Sequence, residues 1–162
     1  MNNLEGTISV PLMKRIEDIS SDKLMILVGF GAFLALLPAW LNYDIISRDG
    51  AFQYIPAARI FLEGNFHEGF LRRELPLFPL IMACIAKITG LDLELSGRIA
   101  SYLAYVLVAI GIFRLSEVVF KNRFIALLAV LFLMTNRQFV DRSIDCLKES
   151  WLICCIVWGN YF

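Results

Sequence analysis

The run from Leu24 to Leu41 contains no charged residue. It covers about 18 residues, and at ~1.5 Å of rise per residue a helix of that length spans nearly all of the ~30 Å hydrocarbon core of a bilayer. Within lipid every backbone polar group must be satisfied inside the segment, so such a run is a helix. Trp40 and Tyr43 stand at its end, where amphipathic aromatic rings favour the membrane–water interface. Pro38 falls in its last turn, where a lost amide hydrogen bond costs least. The composition agrees with a membrane protein. Hydrophobic residues make up 59% of the 162, and the mean hydropathy is +0.68, against the ~45–50% apolar content of soluble domains. The excess is gathered in blocks separated by short charged stretches. Fifteen basic and fifteen acidic residues cancel, so charge gives no case for a nucleic-acid partner.

These blocks predict an all-α, polytopic transmembrane protein of about four spans. Residues 1–23 are polar and mixed in charge and read as a cytoplasmic segment, with a short amphipathic helix over Val10–Ile19. No small-residue cleavage site follows, so this is not a signal peptide. Residues 24–162 form the transmembrane domain, with spans at 24–43, 97–118, 122–140 and 146–162. Between the first two lies the loop 44–96. Gly50–Glu63 reads there as an amphipathic helix stopped by Gly64-Asn65, and Leu75–Ala86 as an apolar helix too short to cross, closed by Gly90. Arg98 and Arg114 flank the second span and are expected to snorkel to the two interfaces. The last run stops at about 13 residues where a span needs ~20, which reads as the N-terminal part of a longer transmembrane domain. Lys14, Arg15 and Lys23, with Lys121 and Arg123 two spans later, favour a cytoplasmic N-terminus and an extracytoplasmic loop.

Two acidic clusters carry the chemical interest. Asp49 lies in Ser47-Arg48-Asp49-Gly50, directly after the first span. A carboxylate partly desolvated at a membrane surface is suited to take a proton from a hydroxyl; it equally suits the N-cap of a helix beginning at Gly50. Asp145 and Glu149 lie in the stretch Arg142–Ser150 at the start of the last apolar run. With the spans counted as above, that stretch returns to the side of Asp49, so acids from distant parts of the chain face one interfacial site. Alternatively they mark a helix boundary, paired with Arg142 or Lys148 at helical spacing. His67 reads as a solvated loop residue. Cys84, Cys146, Cys154 and Cys155 lack zinc spacing and read as small apolar residues in helices. There is no glycine-rich phosphate loop, metal-ligand box or nucleophile elbow, so no cofactor is expected and no metal site is assigned.

The order of elements adds a resemblance. One span is followed by Asp49-Gly50, Tyr54, Ala57-Ala58-Arg59 and Leu62-Glu63-Gly64-Asn65, then Leu75-Pro76-Leu77-Phe78-Pro79-Leu80, Gly90, and Gly97-Arg98 opening the next span. From about Asn42 to Phe162 this resembles the N-terminal third of the GT-C superfamily of membrane glycosyltransferases, in the branch of protein mannosyltransferases and aminoarabinose transferases. The resemblance implies an extracytoplasmic loop of surface-lying helices and a bacterial inner-membrane location. It implies transfer of a sugar from a polyprenyl-phosphate donor to an acceptor hydroxyl, with membrane lipids as surroundings. Asp49 would be the general base. The second acid would be Glu149, in Leu147-Lys148-Glu149-Ser150-Trp151, with Asp145 one turn away as the alternative. Tyr54 and Arg142 would contact substrate, and Arg72 with Arg73, or Arg137 with Arg142, would neutralise the lipid phosphate. Members of the family often carry a second acid directly after the first, where this chain has Gly50. The lipid-phosphate pocket draws on later spans, so a chain ending at Phe162 is expected to be inactive alone. The competing reading is a small non-enzymatic polytopic protein or subunit whose charges only mark helix ends.

Overall fold

A computed structural model describes residues 11–42, 46–72 and 76–162. Tyr43, Arg73 and Leu75 lie outside the described residues. The described residues are helical throughout, in the order α1 Pro11–Asp18, α2 Ser21–Leu41, a π-helical turn Gly50–Tyr54, α3 Ile55–Leu62, α4 Phe66–Leu71, α5 Leu77–Thr89, α6 Leu93–Phe120, α7 Arg123–Thr135, α8 Arg137–Ile144 and α9 Glu149–Tyr161. Two of these, α2 and α6, are long and apolar enough to cross a membrane; α7 and α8 make a third crossing if their 65° bend is counted within one span.

The central element is α6. Its 28 residues extend about 42 Å, longer than the expected span. Asp92 starts it by accepting from Leu95 N at 2.8 Å, satisfying one of the amides that a helix start leaves open. It ends at Lys121, whose φ of 50° is left-handed. Asn122 caps α7 immediately through Phe124 N and Ile125 N, so α6 and α7 form a tight hairpin. Small residues line the faces of α6 that meet other helices. A Cβ on Gly111 would come within 2.7 Å of Val157, and one on Gly97 within 2.2 Å of the Cys146 sulfur. Close backbone approach through small residues is how helices associate where lipid supplies no hydrophobic drive.

Helix α2 runs antiparallel to α6 and is fastened to it at both ends. At one end Arg114 reaches Asp22 at 2.6 Å and Ser21 Oγ at 2.6 Å, and Glu117 accepts from Ser21 and, at 2.9 Å, from Arg123. At the other end Arg98 donates to Trp40 O at 2.6 Å and lies over the Trp40 ring, 5.0 Å from its centroid. The two arginines thus turn toward α2 instead of snorkelling outward. A guanidinium that finds a carboxylate, a carbonyl or an aromatic face within the protein has less need of interfacial water. Pro38 removes the amide that would bond Leu34 O, and beside that loosened turn the Tyr102 hydroxyl donates to Phe33 O. The outward faces remain apolar, with Ile26, Leu27 and Phe30 of α2 and Leu131 and Phe132 of α7 all exposed.

The third apolar run is divided. It folds as a 13-residue α7, and at Asn136 the chain turns and starts α8, Asn136 Oδ1 accepting from Phe139 N at 3.0 Å. α9 then runs parallel to α6, with Trp151 Nε1 on Ala100 O at 3.0 Å and Trp158 Nε1 on Leu107 O at 3.2 Å. The loop helices collect at the N-terminal end of α6. Gly90, at φ 73°, ends α5 as the sequence suggests. α4 carries His67, read from sequence as a loop residue, and Gly69 lets the Phe61 ring lie against it, where a Cβ would be 2.6 Å away.

This arrangement puts Asn65, after α3, and Lys121 at opposite ends of the α2–α6 pair. Only Cys84 and Cys155 of the native cysteines are exposed, so replacing those two gives a background for Asn65→Cys and Lys121→Cys. An impermeant thiol reagent added outside intact cells is expected to label position 65 and spare 121. The reverse pattern would invert the orientation.

Candidate active site

The residues singled out by sequence come together at the α6 N-terminal end. Ser47, Arg48 and Asp49 face Asp141, Arg142, Asp145, Leu147 and Glu149 across an open cleft of about 440 Å³. Asp49 and Glu149, from opposite halves of the chain, therefore border one space.

The first wall is a helical turn. Its cap is Ser47 and not Asp49: Ser47 Oγ accepts from Gly50 N at 3.1 Å, and Ser47 O from Ala51 N at 3.0 Å. Asp49 is already within the helical turn, at φ −66° and ψ −39°, and makes no side-chain cap bond. Its carboxylate is left exposed, not partly desolvated as expected, and accepts from Gln53 Nε2 at 2.9 Å. Gly50 permits the turn to press against the opposite wall, since a Cβ there would stand 3.1 Å from Cys146 O and 3.2 Å from Cys146 Cβ. A side chain directly after Asp49 would crowd this wall and require it to give by a few tenths of an ångström.

The second wall is the α8–α9 junction. Asp145 is 3% exposed; its Oδ1 accepts from Cys146 N at 2.6 Å and, across the cleft wall, from Ser47 N at 3.1 Å. Cys146 is completely buried, wedged between Gly50, Gly97 and Met82. It is a packing residue and no nucleophile. Ser143 and Ser150 share a buried hydrogen bond of 2.9 Å that ties α8 to α9. Glu149 begins α9, where the helix dipole favours an acid. Its Oε1 accepts from Arg142 at 3.3 Å, while Oε2 is buried with no hydrogen-bond partner among the described residues. A buried carboxylate oxygen left unbonded is costly; the residue as a whole lines the cleft.

Other expected site residues fall elsewhere. Tyr54 is 2% exposed and packs edge-on against Phe78, ring centroids 5.2 Å apart, so its ring belongs to the core cluster with Met82 and Ala100. Arg72 lines a separate cleft of about 400 Å³ with Arg59 and Glu63. Arg137 is on the surface, 3.6 Å from Asp141. His67 is exposed on α4. Sequence reading missed Asp141 and Arg48; the spacing of Arg137 and Asp141 along α8 was the available signal for the former. Among the described residues no three His, Cys, Asp or Glu converge to hold a metal ion.

An all-α bundle with apolar outward faces and an acidic cleft at the end of its long helices is that of a polytopic integral membrane protein. Residues 73–162 match the family described as dolichyl-phosphate-mannose-protein mannosyltransferase. The match takes in more than half of the chain, including Asp145 and Glu149, and the chain belongs to this family of membrane glycosyltransferases. Asp49 lies N-terminal to the matched region. Neither a curated protein nor a solved structure matches the chain.

Proposed function

We propose that the cleft transfers a sugar from a polyprenyl-phosphate donor to the hydroxyl of an extracytoplasmic acceptor. The observation that carries this reading is the convergence of Asp49 and Glu149 on one cleft. Asp49, exposed and free of capping, takes the acceptor's proton as its oxygen attacks the anomeric carbon; the bond from that carbon to the lipid phosphate breaks, and polyprenyl phosphate leaves. Glu149, held by Arg142 at the cleft edge, supplies a second carboxylate beside the sugar and acceptor. The cleft carries four carboxylates against two guanidiniums, a poor environment for a phosphate. The phosphate is better served next door. An apolar groove of about 230 Å³ between α5 and α9 is lined by Leu77, Phe78, Trp151, Leu152 and Cys155, with Lys148 as its cation. Lys148 directly precedes Glu149, so a lipid chain in the groove would bring its phosphate to Lys148 and its sugar toward the acids. This differs from the expected use of Arg72 and Arg73.

The test is turnover by the protein expressed from its complete reading frame and reconstituted in vesicles. Supplied with a panel of polyprenyl-phosphate sugars and hydroxyl acceptors, it should release polyprenyl phosphate in step with acceptor glycosylation. Glycosylation from nucleotide sugars with no lipid-linked donor present would reject the reading.

A further inference from the structure

Asp145 stands beside both acids, and its contacts give it a different task from theirs. Both hydrogen bonds of its side chain go to one oxygen, Oδ1, and both come from backbone amides. The Ser47 amide is 98 positions away in sequence at 3.1 Å, and the Cys146 amide is its own neighbour at 2.6 Å. The side chain is 3% exposed. Ser47 is the cap of the turn that presents Asp49, and Cys146 belongs to the link that presents Glu149. We propose that Asp145 is a positioning residue: its Oδ1 fastens the Asp49 turn to the Glu149 link and so sets the distance between the two acids. This rests on the proposed roles of Asp49 and Glu149.

Packing alone leaves that distance unset. The Asp49 turn approaches Cys146 through a bare glycine, Gly50, with 3.1–3.2 Å from its hypothetical Cβ to Cys146. Such a contact limits approach but does not prevent separation. Residues 46 and 47 precede the turn without regular structure. Among the described residues the Asp145–Ser47 bond is the polar tie between the two walls, and a carboxylate accepting amides is among the stronger hydrogen bonds.

The role makes a distinction between variants. Asparagine keeps a carbonyl oxygen with two lone pairs and loses the charge. A positioning role therefore tolerates Asp145→Asn, whereas a proton-transferring role does not. The experiment uses the reconstituted protein, with Cys84 and Cys155 replaced in the cross-linking arm alone. Transfer is measured in Asp145→Asn and Asp145→Ala. In parallel, Arg48→Cys and Asp141→Cys, on the two walls, are bridged with a short bifunctional thiol reagent. Asp145→Asn should keep kcat within about fivefold, the difference between a charged and a neutral acceptor, and keep full bridging. Asp145→Ala should lose kcat by about 100-fold, the scale of a misplacement of ~1 Å, with donor KM unchanged and bridging reduced. Misfolding of Asp145→Ala alone, beside a folded and active Asp145→Asn, supports the same role, because asparagine keeps the oxygen that accepts the two amides and alanine does not. An Asp145→Asn protein that bridges fully yet transfers no sugar overturns the proposal and makes Asp145 a reacting group. An Asp145→Ala protein with wild-type transfer and bridging overturns it as well. If the wild type transfers no sugar from any donor, the function fails, and bridging alone still decides whether Asp145 ties the walls.

Discussion

Asp49→Asn is expected to lower sugar transfer by about 10²–10⁴-fold, the usual range for loss of a general base, while leaving the fold intact. The fold expectation follows from the structure. Asp49 is exposed, the turn is capped by Ser47, and the carboxylate's contact is with Gln53, one helical turn away. Asparagine can accept that same bond. Donor KM should change little, because the base acts on the acceptor. The measurement is initial rates at saturating donor, with thermal melting in detergent as the folding control. Glu149→Gln gives the companion comparison. It keeps an oxygen for Arg142, so a loss of transfer there would mark the carboxylate charge of Glu149 as functional. Retained activity in Asp49→Asn would remove Asp49 from the mechanism.

Gly97→Val is expected to abolish stable folding. A methyl at position 97 would lie 2.2 Å from the Cys146 sulfur and 2.8 Å from the Met82 terminal methyl. Met82 is flexible and can yield. Cys146 is completely buried, and Gly50 closes its other side. Overpacking of this kind costs about 1–3 kcal/mol for the first added methyl, against which the helix propensity of alanine returns only ~1 kcal/mol. Valine adds two further carbons and a β-branch. Gly97→Ala should therefore be measurably destabilised, and Gly97→Val should fail to yield protein that melts cooperatively. Cys146→Ala removes the offending sulfur and should restore much of the loss in Gly97→Ala. Equal melting of wild type and Gly97→Ala would contradict the wedge.

How much of this was readable from sequence depends on the kind of signal. The uncharged run over 24–41 became α2 because nothing competes with helix in lipid. Gly90 ended α5 because few other residues accept a φ of 73° so readily. The meeting of the two acid clusters followed from counting crossings. Where two residues offer the same chemistry, sequence could not choose. Ser47 and Asp49 are both favoured caps, and only the backbone placed Ser47 at the start of the turn. Asp145 and Glu149 are both acids near a helix start; burial gave one to the backbone and the other to Arg142. The resemblance made Tyr54 a substrate contact, yet the π-helical turn over Gly50–Tyr54 ends with its ring against Phe78. The apolar run ends at Asn136 in the sequence, yet the expected span continues to residue 140, because asparagine punctuates a helix less strongly than glycine or proline. Its side chain starts α8 only because α7 has already stopped.

The two fastenings between α2 and α6 carry a consequence for biosynthesis. α2 emerges from the ribosome and enters the bilayer well before α6 is made. Until then Asp22 and the Trp40 carbonyl must be served by lipid headgroups and water at opposite membrane surfaces. When α6 follows, Arg114 and Arg98 meet those groups only if α6 runs the other way and at the right depth. A slip of one turn would move both guanidiniums about 5 Å along the bundle and break both ends together. The pair thus acts as a depth gauge: the earlier helix records where the two surfaces lie, and the later one is accepted only in the register that sets the acidic cleft at the surface.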